Sequence, residues 1–200
     1  MYMDEAWVNQ NHCTDYMWDK NDPNNYRGVS LLNCIPKIFN TIWNNRLIKI
    51  IEDQLSNSQF GFRENHRTAV NIFVLKSLIN KYIHENKNKI YACFVDLRKT
   101  FDSVWRETLL YKLGLHFFKL LKEQYLNTTS SLKHKDQHSV LFNISRGVKQ
   151  GDSLTTTLFN VFINDITKNF ENNKSTPLKL IDSNIDCLLF ADDLLIVSET

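Results

Sequence analysis

The chain has 200 residues, with 24 lysines and arginines against 22 aspartates and glutamates and a formal net charge of +2. That length suits one domain, or one domain with a small lobe, and its ordinary hydrophobic and charged shares, 42% and 23%, exclude a disordered chain. The near-balanced charge neither demands nor excludes a nucleic-acid partner, because local placement outweighs the sum.

The first 25 or so residues are polar, lack a period and end in the turn-like "KNDPNNY", so no structure is predicted for them. From Ser30 to Glu52 apolar residues recur at helical spacing (Ile35, Ile38, Phe39, Ile42, Leu47 and Ile50), with Pro36 near the start. "SQFGFRENHRT" reads as a loop or short strand carrying Arg63, His66 and Arg67. Thr68 then caps a helix running to about Ile83, with Val70, Phe73, Leu78 and Ile79 on its inner side. Ile90 to Val95 is almost wholly apolar, as expected of a central strand covered on both faces, and Asp96 sits at its end. Two helices broken at Gly114 follow, then a polar hairpin and the glycine-punctuated "RGVKQGD". Ser153 to about Phe170 is a helix with Leu154, Leu158, Val161, Phe162 and Ile166 inward. Two or three strands close the chain, the last two joined at Asp192 and Asp193. The order predicts an α+β domain, one sheet with helices against one face.

Cys13, Cys34, Cys93 and Cys187 are scattered and read as reduced thiols. His134 and His138 have ligand spacing, but nothing acidic or thiol sits beside them, which favours a solvated loop over zinc. The start "MYMDEAWVNQ" does not read as a signal peptide and no apolar run spans a bilayer, so an intracellular place, nucleus or cytoplasm, is expected. The Asn-x-Ser/Thr matches at Asn127, Asn143 and Asn173 then carry no sugar.

A carboxylate inside an apolar strand is costly unless paired, protonated or bound to a cation. Asp96, Asp192 and Asp193 all stand in such settings. Turn chemistry explains part of this, and an acidic hairpin tip at the surface is the bland alternative. If the strands are sheet neighbours, three carboxylates converge at one edge, a donor set suited to Mg²⁺ or Mn²⁺. Two such ions suit triphosphate chemistry. "GVKQGDSL" offers a possible nucleotide contact through Gly147, Gly151 and Gln150, or else only a strand-to-helix turn capped by Asp152 or Ser153.

The ordered blocks "NYRGVSLL", "QFGFRENHRT", "YACFVDLRKTFDSV", "RGVKQGDSLTTTLFNVFINDI" and "LLFADDLL" resemble the reverse transcriptase domain of a non-LTR retrotransposon. The resemblance runs from about Asn25 to the end. It implies a right-hand polymerase fold, with 26–89 as fingers, 90–200 as an incomplete palm and 1–25 unassigned. It implies an RNA-directed DNA polymerase that binds an RNA template, a DNA primer and dNTPs and uses two divalent ions. Asp96 matches the first metal-binding aspartate, and Asp192 and Asp193 match the acidic pair of the catalytic hairpin. Phe101 matches the gate against a ribose 2′-hydroxyl, or is a core aromatic of its helix. Gln150 and Gly151 match the motif bordering nucleotide and template. Arg63 falls where the fingers carry a basic contact to triphosphate or template. Lys99, Arg98 and Lys149 are backbone-phosphate candidates or part of a solvated face, and Arg27 matches an arginine of the family's block whose role could equally be structural. The pattern departs from the family at Gly28, where proline is usual, and in "SLTTTLF", which lacks the common Ser-Pro. A preceding basic strand and a following thumb are expected to be absent, which makes the resemblance one to a domain truncated at both ends, whose thumb a partner chain could supply. The alternatives are an inactive remnant and a nucleic-acid or protein interaction module that retains the fold.

Overall fold

A computed structural model of the chain describes residues 2–9, 26–125, 128–134, 137–172 and 177–199. In chain order the elements are β1 (Tyr2–Asn9), β2 (Tyr26–Leu31), α1 (Cys34–Ile51), α2 (Thr68–Ile79), β3 (Tyr91–Asp96), α3 (Thr100–Ser103), α4 (Arg106–Lys112) and α5 (Gly114–Tyr125). Then come β4 (Thr129–His134), β5 (Gln137–His138), β6 (Phe142–Asn143), α6 (Ser153–Asn172), β7 (Leu178–Leu180), β8 (Ser183–Ile185), β9 (Cys187–Phe190) and β10 (Asp193–Ser198). They divide into two compact units, residues 1–46 with 101–155 and residues 47–100 with 156–200.

In the first unit β1 pairs antiparallel with β2 and parallel with β4, and β4 also pairs with β5 and β6. The opening segment, for which no structure was expected, thus contributes a strand at Tyr2–Asn9. Strand formation follows available pairing edges more than local pattern. The unit is tied together by a buried arginine. Arg106 donates from Nε to the Gly147 carbonyl (2.8 Å), and its other nitrogens reach the carbonyls of Tyr125 (2.8 Å) and Ile144 (2.6 Å).

Helix α1 begins later than predicted, because Ser30 and Leu31 belong to β2. Most of its apolar stripe is outside: Ile35, Ile38, Phe39, Ile42 and Ile50 are exposed, while Leu47 of the stripe and the polar Asn40 are buried. The reason is polar. Asn40 Nδ2 donates to Asp152 (2.6 Å), and Asn40 Oδ1 accepts from Gln124 (3.0 Å), so the helix turns an amide inward to partners that suit it.

In the second unit β10 lies between β3 and β9 in an antiparallel sheet. β3 is therefore an edge strand rather than a central one, with Tyr91 and Phe94 exposed. An apolar run reports affinity for cover, which either face or edge can leave unmet. Strands β7 and β8 form a separate pair, so the described strands occupy three sheets rather than one. Leu78 and Tyr82 pack on Leu188, Leu195 and Val197 to form the core. Helix α2 starts at Thr68 with Arg67 as an N-cap that makes no side-chain bond, and continues as a wider turn over Asn80–Glu85. Val70 and Phe73, expected inside, are exposed, because Val74, Leu75 and Leu78 take the inner face. The helix predicted from Ser153 and the break at Gly114 stand as expected, except that Ile166, expected inward, is exposed.

No disulfide joins Cys34, Cys93 or Cys187. Cys13, Asn127 and Asn173 lie outside the described residues. Among the described residues no helix is long and apolar enough to cross a membrane.

Candidate active site

The ladder between β3 and β10 sets Asp193 directly opposite Asp96. On its other side Asp193 pairs with Phe190, so the connection is a two-residue turn of Ala191 and Asp192. The left-handed residue in that turn is Ala191, at φ 58°, rather than an aspartate. For a non-glycine residue this conformation costs about 1–2 kcal/mol and persists only where its surroundings enforce it. Asp96 and Asp193 are exposed, and Asp192 is half-buried. The Thr100 hydroxyl stands 3.4 Å from Asp192 Oδ2 and 2.5 Å from the Leu97 carbonyl. Its single proton goes to the nearer carbonyl, so Asp192 draws no strong hydrogen bond from it.

Opposed carboxylates of this kind repel each other unless a cation lies between them. Among the described residues no three acidic, histidine or cysteine side chains lie close enough to form a metal cage. Mg²⁺ does not require one, since it is held by one or two carboxylates with water or phosphate completing the shell. Beside Asp96 and Asp193 an apolar trough of about 380 Å³ runs along Ile72, Leu75, Phe94, Leu188 and Leu195. A larger cavity, about 910 Å³ and lined by Asn57, Lys168 and Asp186 among others, contains none of the predicted site residues.

Arg63 belongs to the same unit but is not presented to a ligand. Its side chain is 7% exposed and pairs with Glu52 at 2.8 Å. It also donates to Glu52 through Nε (2.9 Å) and to the carbonyls of Ser56 (2.7 Å) and Gln59 (2.9 Å). A guanidinium so surrounded is a clamp on its own loop, not a free phosphate contact. Arg98 and Lys99 are exposed.

Phe101, Gln150 and Gly151 lie together in the other unit. The Phe101 carbonyl accepts from Val148 N–H (2.9 Å), and Gln150 Nε2 donates to Asp102 (3.1 Å). Gly147, at φ 81°, is needed on two counts, since a Cβ there would stand 2.8 Å from the Asp102 carbonyl oxygen. Lys149 is buried rather than solvated. Its ammonium lies over the Tyr125 ring and donates to the Gln124 carbonyl (3.2 Å). Burial lowers its pKa and the Arg106 charge lowers it further, while Asp152 opposes both. Burial pushes the Asp152 carboxyl the other way, above the usual carboxylate range. Arg27 stands in β2 opposite Val8.

Sequence reasoning missed the amides that order the loop between α1 and α2. Gln59, Asn160 and Asn164 are buried and bonded to the loop between α1 and α2. A signal existed. Thr157, Asn160, Asn164 and Thr167 form a polar stripe at helical spacing on α6, and all four are buried.

Comparison with known proteins gives the lineage. The profile of the family described as reverse transcriptase (RNA-dependent DNA polymerase) matches residues 18–200. The RNA-directed DNA polymerase from mobile element jockey of Drosophila melanogaster is 31% identical across 100% of this chain, which covers 22% of that protein. A probable RNA-directed DNA polymerase from transposon X-element of the same species is 30% identical over 72% of this chain and 16% of its own length. A Pol polyprotein from the type-1 retrotransposable element R2 of Nasonia vitripennis is 28% identical over 90% of this chain and 18% of its own. The chain thus spans about a fifth of the length of these relatives. Among solved structures, apo telomerase from Candida tropicalis, truncated from its C-terminal domain, superposes with a TM-score of 0.59 at 14% identity, over 88% of this chain and 42% of that one. Telomerase of Candida albicans, solved with a fragment of telomeric RNA, gives 0.58 at 12% identity over 88% of this chain and 36% of that one. At such identities the likeness establishes the fold, the right-hand polymerase fold. Residues, order and fold agree: the chain belongs to the reverse transcriptase (RNA-dependent DNA polymerase) family, among the non-LTR retrotransposon polymerases.

Proposed function

We propose that the chain carries the nucleotidyl-transfer centre of an RNA-directed DNA polymerase from a non-LTR retrotransposon, adding dNTPs to a DNA primer on an RNA template. The observation that carries this reading is the register that sets Asp96 opposite Asp193, with Asp192 in the adjoining turn. Asp96, Asp192 and Asp193 are the residues that hold divalent cations, Mg²⁺ or Mn²⁺. Two such ions, when bound, make the primer hydroxyl more acidic and stabilise the departing pyrophosphate. In the transfer a bond forms between the primer 3′-oxygen and the α-phosphorus as the bond from that phosphorus to the pyrophosphate oxygen breaks. The ladder and the tight turn fix the backbone positions that carry the carboxylates, so cation binding has only side-chain rotamers to order. We assign Phe101 the exclusion of a ribose 2′-hydroxyl and Gln150 and Gly151 the border of the incoming nucleotide. Asp102 accepts from the Gln150 amide and orients it. Residues 26–89 are the fingers and 90–200 the palm in this reading.

The test is Mg²⁺-dependent dNTP incorporation on an RNA template with a DNA primer, for the chain and for Asp192→Ala. Incorporation that the variant loses supports the reading. Equal incorporation by both removes Asp192 from the centre. None by either, from protein that unfolds cooperatively, leaves a polymerase remnant.

A further inference from the structure

β9 has two neighbours. One is β10, and the other is the loop before α2, which runs parallel to it at Gln59 and Leu189. Leu189 N–H donates to the Ser58 carbonyl (2.9 Å), and Phe60 N–H donates to the Leu189 carbonyl (2.8 Å). One residue further, Gly61 lies so close to the turn that a Cβ on it would stand 2.1 Å from the Ala191 nitrogen.

This loop is irregular and takes its order from side-chain amides. Asn164 accepts Ser56 N–H (2.8 Å) and donates to the Gln54 carbonyl (3.0 Å), so one side chain satisfies both kinds of backbone group. Asn160 Nδ2 donates to the Gly61 carbonyl (2.9 Å), and its Oδ1 accepts from Gln59 Nε2 (3.2 Å). Gln59 Oε1 accepts Gly61 N–H (2.9 Å), which closes a ring of three bonds around Gly61. Gln59 is 0% exposed and Asn160 2%, so water does not compete for these partners. Apolar packing alone would let the loop slide along β9. Directional bonds between buried amides fix one position.

We propose that Gln59, Asn160 and Asn164 are positioning residues for the catalytic hairpin. They hold the Ser56–Gly61 bracket against β9 and thereby fix where the Ala191–Asp192 turn presents its carboxylate. The inference rests on the reading of Asp96, Asp192 and Asp193 as cation ligands. None of the three amides touches the reacting atoms. Their effect passes through Leu189 and Ala191.

The experiment compares the chain with Asn160→Ser and with the apolar pair Gln59→Met/Asn160→Leu, each at a temperature where circular dichroism shows it fully folded. Two quantities are read: hydrogen exchange of the Cys187–Asp193 segment without metal, and the Mn²⁺ dissociation constant by electron paramagnetic resonance. Positioning predicts faster exchange at Leu189 and Mn²⁺ affinity weakened by about tenfold, the low end of what losing a group bonded directly to a ligand costs, because these amides act one step further away. A folded variant with unchanged exchange and unchanged Mn²⁺ affinity overturns the proposal and leaves the amides a purely structural role. Asn160→Ser keeps the Gln59 bond to Gly61 N–H and is the milder variant, decisive if the apolar pair does not fold. Wild-type chain that binds Mn²⁺ no better than Asp192→Asn overturns the cation reading itself, an outcome separate from the first.

Discussion

Gly61→Ala isolates the contact between the bracket loop and the hairpin. The added Cβ would meet the Ala191 nitrogen at 2.1 Å, Ala191 Cα at 2.8 Å and the Phe190 carbonyl carbon at 3.0 Å. All three are backbone atoms, so no flexible side chain can swing aside. Overpacking of this kind costs about 1–3 kcal/mol. Relief by moving the loop breaks at least one of the bonds to Leu189 or Gly61, and a buried group left unbonded costs about 1–3 kcal/mol more. The expected loss is therefore about 2–6 kcal/mol, a large part of the roughly 5–15 kcal/mol that holds a domain folded. Gly114→Ala is the matched control. Gly114 has φ 71° but nothing within 4 Å of its missing Cβ, so only backbone strain of about 1–2 kcal/mol applies. Urea unfolding followed by circular dichroism should shift the midpoint of Gly61→Ala further than that of Gly114→Ala. Equal shifts, or a milder one for Gly61→Ala, would refute the steric argument.

Arg63→Lys should lower Tm, because an ammonium cannot reach Glu52 and the carbonyls of Ser56 and Gln59 together, and hydrogen bonds to a charged group contribute about 1.5–3 kcal/mol each. An unchanged Tm with an altered KM for dNTP would return Arg63 to phosphate binding. Asp152→Asn tests the buried cluster through pH. Burial raises the Asp152 carboxyl above its ordinary 3.8, and the bonds from Leu154 and Asn40 and the Lys149 charge offset this only in part. Its contribution to stability is therefore complete below the unfolded value and lost as pH rises through the folded one. Lys149, held below 10.5 by burial, contributes above its unfolded value and loses that as pH falls through the folded one. The wild-type urea midpoint should fall as pH rises above the carboxylate range, and that fall should be missing in Asp152→Asn. Parallel profiles for the two proteins would sink the assignment.

The carboxylates and their family were legible because three aspartates interrupt apolar runs, and order and spacing survive without coordinates. The register that pairs Asp96 with Asp193 was legible only as a condition, since ladder partners far apart in sequence leave no local mark. The turn was misjudged by one residue. The strands read as joined at Asp192 and Asp193, yet the turn is Ala191 and Asp192, and Ala191 takes the left-handed conformation with Gly61 closely packed against it. Helix faces were the least legible. On α1 the apolar stripe predicts burial, but Asn40 finds Asp152 and Gln124 and turns that stripe outward. On α6 the polar stripe through Asn160 and Asn164 predicts solvent, but a loop short of partners for its backbone draws it inside. In both cases a distant polar group reverses the rule that hydrophobic period marks the interior.

The pairing of β3 with β10 also sets a timetable. Asp96 leaves the ribosome about a hundred residues before Asp193, which at roughly 5–20 residues per second is an interval of about 5–20 seconds. Through that interval β3, the bracket loop and the inner face of α2 exist without the hairpin on which they converge. Contacts so distant in sequence form slowly, and the uncovered apolar strand is open to wrong partners meanwhile. Synthesis rate and chaperone supply therefore bear on how much chain reaches the assembled site, and slower translation of the segment between Asp96 and Asp193 lengthens the exposure.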